Sequence, residues 1–239
     1  MSSGVRRIRG LNLRVTNLRR SVEFYTETLH LQVEGSFGRE AFLRWSDGED
    51  FLGLFARQTA GLHHIELRLF APNADTALAD LAQRRLLPFV RKLGSTSMAP
   101  QVLKRRFAGD VEVVRPLLET PLFVEVSDPD GRSIELVYLY PDRTVRETPG
   151  LLEIEVASSR PDRLKLFYQQ VGFGVCDDVL VAASGQRLRL RPGERPEYVR
   201  ATVVVSAAVI EGLSAVNTLE GTLARVRDPD GHEWLLYSA

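Results

Sequence analysis

The tetrapeptide Asp-Pro-Asp-Gly occurs twice in this chain, at Asp128–Gly131 and at Asp228–Gly231. Proline fixes φ, the aspartates bond to nearby backbone and glycine takes positive φ at no steric cost, so the tetrapeptide specifies a tight turn. Each copy follows an apolar run and precedes a strand-like one, Arg132–Tyr138 in the first case and His232–Tyr237 in the second. The same turn in the same setting marks a repeated unit. The copies differ in one chemically important place. Four residues past the glycine stands Glu135 in the first and Leu235 in the second, so only the first copy offers a carboxylate there.

The repeat extends further. Leu11, Leu13 and Val15 alternate with polar residues, as in a half-buried strand, and Leu18, Val22, Tyr25 and Leu29 then recur at helical spacing. Short strands follow at Ala41–Trp45 and Phe51–Phe55, with a turn at Asp47-Gly48. The order restarts at residue 62, with a helix carrying Ala74, Ala77, Leu78, Leu81 and Ala82 and strands near Leu122–Val126 and Ser133–Tyr138. A third start is Leu152, Ile154 and Val156, followed by a helix through Leu164, Phe167, Tyr168 and Val171 whose Phe167-Tyr168 echoes Phe24-Tyr25. A fourth runs from Tyr198–Val205 through a helix carrying Ile210, Leu213 and Val216 to Trp234–Tyr237.

The expectation is an α+β fold of four βαβββ modules paired into two cup-shaped mixed sheets. Residues 1–145 form the first pair (1–57 and 58–145) and residues 146–239 a shorter second pair. Residues 88–119 depart from the repeat and read as an insertion bearing Arg91, Lys92, Lys104, Arg105, Arg106 and Arg115, a candidate lid or substrate-contacting loop. Pro141–Pro149 reads as the linker between the halves.

The chain has 239 residues, 31 basic and 31 acidic, so no global charge favours nucleic acid or an anionic membrane. One cysteine, Cys176, excludes an intramolecular disulfide and suggests a reducing compartment. With no apolar leader and no run of membrane-spanning length, the expected location is the cytoplasm.

The module order, the Phe-Tyr helix and the closing Asp-Pro-Asp-Gly-x-x-x-Glu-Leu turn resemble the vicinal oxygen chelate superfamily, which includes glyoxalase I, bleomycin-resistance proteins and extradiol ring-cleavage dioxygenases. Four modules in series look most like the extradiol dioxygenases. The resemblance implies a divalent metal in a cup. Gly61–Leu69 would be the first strand of a metal-bearing module, with His64 as ligand, and Asp128–Leu136 its last strand, with Glu135 as another. Imidazole and carboxylate suit Fe(II), Mn(II) or Zn(II). The partner module's histidine position falls on Gly10, which cannot ligate, so the third ligand would be Asn12 or Glu66. In the second half the corresponding positions are about Leu151, Arg200 and Leu235, and that pair reads as metal-free. The resemblance to extradiol dioxygenases implies the reverse, iron in the C-terminal pair.

Along residues 62–70 the even positions, His64, Glu66 and Arg68, face the cup, and Arg14 and Glu125 join them as pocket candidates. A metal-free alternative is an ion-pair network of Arg14 and Arg68 with Glu66, Glu125 and Glu135 around a neutral His64. His63 is expected on the apolar side, His30 and His232 at the surface, Cys176 without a catalytic role, and Trp45 and Tyr138 on strands that could line a cup but more commonly serve the core. Three functions stand: a metal-dependent dioxygenase- or glyoxalase-like enzyme, a non-catalytic binder of small molecules resembling bleomycin-resistance proteins, and an assembly module pairing through sheet edges. The partner implied is a small molecule, neither nucleic acid nor membrane, and a homodimer is left open because such folds can exchange modules between subunits.

Overall fold

The structure, a computed structural model, describes residues 4–45, 50–95, 103–107, 111–115, 122–139, 150–195, 197–211, 213–218 and 221–238. The first module comprises β1 (Arg7–Val15), α1 (Leu18–Thr28), β2 (Gln32–Phe37), β3 (Glu40–Arg44) and β4 (Phe51–Ala56). The second has β5 (Gly61–Phe70), α2 (Ala74–Gln83), β6 (Val90–Ser95), β7 (Leu103–Phe107), β8 (Val111–Arg115), β9 (Leu122–Ser127) and β10 (Ser133–Leu139). The third has β11 (Leu151–Ser158), α3 (Pro161–Val171), β12 (Gly174–Cys176), β13 (Val179–Val181) and β14 (Arg187–Pro192). The fourth has β15 (Glu197–Val204), α4 (Ala207–Ile210), β16 (Ala215–Asn217), β17 (Thr222–Arg227) and β18 (Glu233–Ser238).

Two mixed sheets result, ordered β2-β3-β4-β1-β5-β10-β9-β6-β8-β7 and β12-β13-β14-β11-β15-β18-β17-β16. In each module the first and last strands pair in parallel, and the first strands of paired modules meet antiparallel, β1 on β5 and β11 on β15. Modules therefore pair within each half of this chain. In residues 88–119, β6 takes the edge place that β2 has in module one, and β7 and β8 extend the sheet as a hairpin. The side chains of Lys104, Arg105, Arg106 and Arg115, like the Asp47-Gly48 turn and the Pro141–Pro149 linker, lie outside what is described.

Local chemistry starts and stops the helices. Asn17 caps α1 by accepting from the Arg20 N–H, Asn73 caps α2 by accepting from Thr76, and Pro161 opens α3. After α3 the chain turns through Gly172 at φ 115°; after α1 the corresponding left-handed step is made by His30, at φ 55° and exposed. The sequence-based helix through Val216 is not formed: α4 ends at Ile210, Ala215–Asn217 is a strand, and Val216 is 67% exposed. The three-residue spacing is helical, but pairing of Ala215–Asn217 with β17 wins over it. Among the described residues no helix is long and apolar enough to cross a membrane.

One apolar core runs through both halves, including Leu11, Leu13, Ile65, Leu67, Ile134, Leu136, Ile154, Val156, Ala201 and Trp234. Trp45 and Tyr138 are in it too. The duplicated turns join the halves reciprocally. Asp128 Oδ1 accepts from the N–H groups of Asp130 and Arg132, and Asp228 Oδ1 from those of Asp230 and His232, with Gly131 and Gly231 at φ 82° and 87°. The other oxygen of each aspartate faces the opposite half. Tyr25 of α1 donates to Asp228 Oδ2 at 2.6 Å, and Tyr168 of α3 to Asp128 Oδ2 at 3.4 Å. The Phe-Tyr echo between helices is thus an echo of docking contacts. Between the sheets, buried Gln186 bridges Ile8 and Leu151 near the Arg7–Asp50 ion pair.

Candidate functional site

The site lies on the helix-free face of the first sheet and is shaped by two β-bulges. Asn12 pairs with His64 but Leu13 with Leu62, which makes His63 an extra residue in β5. On the other side of the joint Ile8 pairs with Leu67 and Gly10 with Glu66, which makes Arg9 extra in β1. The alignment of Leu11-Asn12-Leu13-Arg14 with Ile65-Glu66-Leu67-Arg68 carries the same message: Arg9-Gly10 is the counterpart of His63-His64.

The bulge corrects the placement of His63. Strict alternation would send it to the apolar side, but the inserted residue resets the phase, so that Leu62 packs on the core and His63 turns to the cup beside His64. Their Nδ1 atoms are 2.7 Å apart, and His63 stacks on Phe55 at 4.3 Å between ring centroids. Burial first, then the neighbouring His64, Arg57 and Arg14, lower the His63 pKa to about 4, so its imidazole is neutral at neutral pH. At this spacing a hydrogen carried on one Nδ1 is shared with the other. His64 Nε2 then faces Glu135 Oε2 at 3.6 Å, ion-pair distance but longer than a hydrogen bond.

Around this core of the site, rows of side chains run across the strands. Glu66, Glu135 and Glu125 are register neighbours on β5, β10 and β9. Glu66 is buried and bound by the Arg9 guanidinium; burial raises its pKa, against the pull of Arg9. Glu125 accepts from Ser133 Oγ at 2.9 Å. Asn12 is fully buried, and neither atom of its amide has a hydrogen-bond partner among the described residues. Its Oδ1 leans over Gly53, 1.9 Å from where a Cβ would sit, so the glycine makes room for it. Arg14 lies against Gly61, and Arg68 shares the strand face of Glu66 and His64. On the module-one side the wall is aromatic: Phe42 is 6.0 Å from Phe51 and 5.8 Å from Phe55.

The residues do not fit a centre of two histidines and one carboxylate. A Cβ at Gly10 would lie 2.5 Å from the Phe51 ring, which fills the place where the second imidazole would project. The Arg9 guanidinium lies 5.4 Å over the same ring and holds Glu66, so one candidate ligand carboxylate is already engaged by a fixed cation. Among the described residues no three of His, Cys, Asp and Glu come together to hold an ion. In the second sheet the register makes Glu153, rather than Leu151, the counterpart of Gly10, with Arg200 and Leu235 completing the set.

His232 corrects a second expectation. It is buried, its Nδ1 is 2.7 Å from Asp228 Oδ2, and its Nε2 accepts from the Gly61 N–H at 3.1 Å. The bond from Gly61 crosses between halves and ties the start of β5 to the second turn. Cys176 is exposed.

No family model matches the chain, and no curated protein matches it in sequence. Solved structures match it over its whole length. The Mn(II)-bound glyoxalase from Novosphingobium aromaticivorans aligns with TM-score 0.68 and 17% identity, covering 99% of this chain and 83% of that one. A catechol 2,3-dioxygenase aligns at 0.66 and 15%, covering 99% and 88%. The homoprotocatechuate 2,3-dioxygenase from Brevibacterium fuscum, in complex with 3,4-dihydroxyphenylacetate, aligns at 0.68 and 16%, covering 100% and 82%. The chain has the vicinal oxygen chelate fold, in its four-module form. At these identities the likeness establishes fold and leaves chemistry to the residues.

Proposed function

We propose that this is a small-molecule-binding protein of the vicinal oxygen chelate fold whose first cup takes a hydroxylated aromatic ligand without a three-donor metal centre. The observation that carries the reading is the Phe51 ring over Gly10, with Arg9 above it. Phe42, Phe51 and Phe55 offer a ring-stacking wall. Beside it, Glu135 accepts hydrogen bonds and the His63–His64 pair donates and accepts. A ring bearing adjacent hydroxyls satisfies such a set.

A specific observation favours one other reading. His64 Nε2 and Glu135 Oε2 approach to 3.6 Å, a pair that could hold a divalent ion such as Mn(II), Fe(II) or Zn(II) if an oxygen-chelating ligand brought further donors. That reading leads to a dioxygenase- or glyoxalase-like enzyme. Calorimetric titration of catechol and 3,4-dihydroxyphenylacetate into chelator-treated protein separates the two. The binder account expects saturable binding in EDTA, weakened about tenfold or more by Glu135→Gln or His64→Ala, the loss of one charge-assisted contact. Binding that appears only after a metal is added would replace it with the enzyme reading.

A further inference from the structure

One face of the second sheet is apolar and belongs to the core. The other face is dense with charge. Successive outward positions of β14 carry Arg187, Arg189 and Arg191, and β11 beside it carries Glu153 and Glu155. Across the module joint Glu155 pairs in register with Arg200, Arg200 with Glu233, and Glu233 with Arg227. The strand residues of alternate parity, Leu188, Ile154, Val156, Ala201, Trp234 and Leu236, are in the core.

The depths of the two signs differ. The carboxylates lie low: the side chains of Glu153, Glu155 and Glu233 are 8%, 5% and 15% exposed. The guanidiniums lie over them, each carboxylate shared by two. Glu153 holds Arg187 and Arg189 at 3.1 Å each. Glu155 holds Arg200 at 2.8 Å and Arg191 at 3.9 Å. Glu233 holds Arg225 at 3.6 Å and Arg227 at 3.4 Å. Six arginines against three glutamates give this ion-paired cluster three positive charges, two once Glu197, opposite Ala157 on the same face, is counted, in a chain whose total charge is zero.

Each guanidinium presents five donors and a carboxylate occupies only one edge of it, so the buried glutamates orient the arginines and leave donors pointing outward. Arg200, at the position of His64 in the first cup, has a buried Nε without a hydrogen-bond partner among the described residues. From β14 to β17 is four strand spacings, about 19 Å along the sheet, with room for several anionic groups around Arg200.

We propose that the second cup is a binding site for a small molecule carrying two or more anionic groups, carboxylate or phosphate, with Arg200 at its centre and the β14 and β17 arginines at its two ends. It is separate from the first cup in position and in chemistry. Like-signed groups held in place by buried counter-charges are preorganised for bidentate contacts with such oxygens, and attraction at an exposed face falls with added salt.

Calorimetry with citrate, pyrophosphate and tripolyphosphate at low ionic strength tests it, using the full chain. Saturable one-to-one binding is expected, tighter than that of acetate or chloride. Arg227→Gln, at an open position, and Arg200→Gln should each weaken it about ten- to hundredfold, the loss of one or two charge-assisted contacts. Arg163→Gln, on the exposed side of α3, and His64→Ala should leave it unchanged. Citrate favoured over the phosphates would assign a polycarboxylate ligand, and the reverse order a phosphorylated one. The proposal is overturned if none of the three saturates, if Arg163→Gln weakens binding as much as Arg227→Gln, or if His64→Ala abolishes it, which would move the anion to the first cup.

Discussion

Tyr25→Phe removes one oxygen and, from the geometry, should be among the costlier single-atom changes in this protein. The Tyr25 hydroxyl is fully buried, donates to Asp228 Oδ2 at 2.6 Å and accepts from Trp234 Nε1 at 3.1 Å. Phenylalanine keeps the ring contacts, including the 5.5 Å edge-on approach to Trp234. It strands the indole N–H in the core and takes one donor from a buried carboxylate that retains His232. A hydrogen bond to a charged group is worth about 1.5–3 kcal/mol and a stranded buried donor about 1 kcal/mol or more, giving about 3 kcal/mol in all. For a chain of this length that is about 6–12 °C in melting temperature.

The pseudo-equivalent Tyr168→Phe should cost much less, about 1 kcal/mol or below. Its hydroxyl is 3.4 Å from Asp128, which also has Arg132 at 3.2 Å and two backbone donors. Denaturant midpoints of the two variants against wild type make the comparison. Equal losses, or a larger loss for Tyr168→Phe, would refute the claim that the second turn is the tighter clasp between the halves.

Two further outcomes are expected. The pKa of His63 is about 4 in the folded protein against an ordinary 6.5, so on acidification the unfolded chain takes up this proton first. Its contribution to stability is complete above about pH 6.5 and declines as pH falls toward about 4; His63→Gln should lose less stability than wild type over that window, in denaturant midpoints measured against pH. Gly10→His combined with Phe51→Ala clears the ring and supplies an imidazole, and should gain Mn(II) affinity about tenfold or more over wild type by calorimetry. No gain would mean that Arg9, not Phe51, is the decisive obstacle.

Much of the fold was legible because it is written as a repeat: period-two strands, Phe-Tyr helices and a turn that only a few residues can make. Parts of the site were hidden for physical reasons. A β-bulge adds one residue without altering composition, so the phase change that brings His63 to His64 has no mark in β5 alone. It becomes visible only when Arg9-Gly10 is set beside His63-His64. His232 looked exposed because its partners, Asp228 Oδ2 and the Gly61 N–H, come together by tertiary docking. The arginines of β14 and β17 alternate with core residues, a pattern that a solvated strand shares, and it is the buried glutamates beneath them that set them apart.

The most direct test of the account is the metal stoichiometry of protein purified without chelator, then titrated with Mn(II), Fe(II) and Zn(II). With Phe51 over Gly10 and Arg9 on Glu66, the expected result is metal content far below one equivalent and no saturable one-to-one uptake. Uptake of one equivalent, lost in both His64→Ala and Glu135→Ala, would contradict it and make the first cup a metal centre.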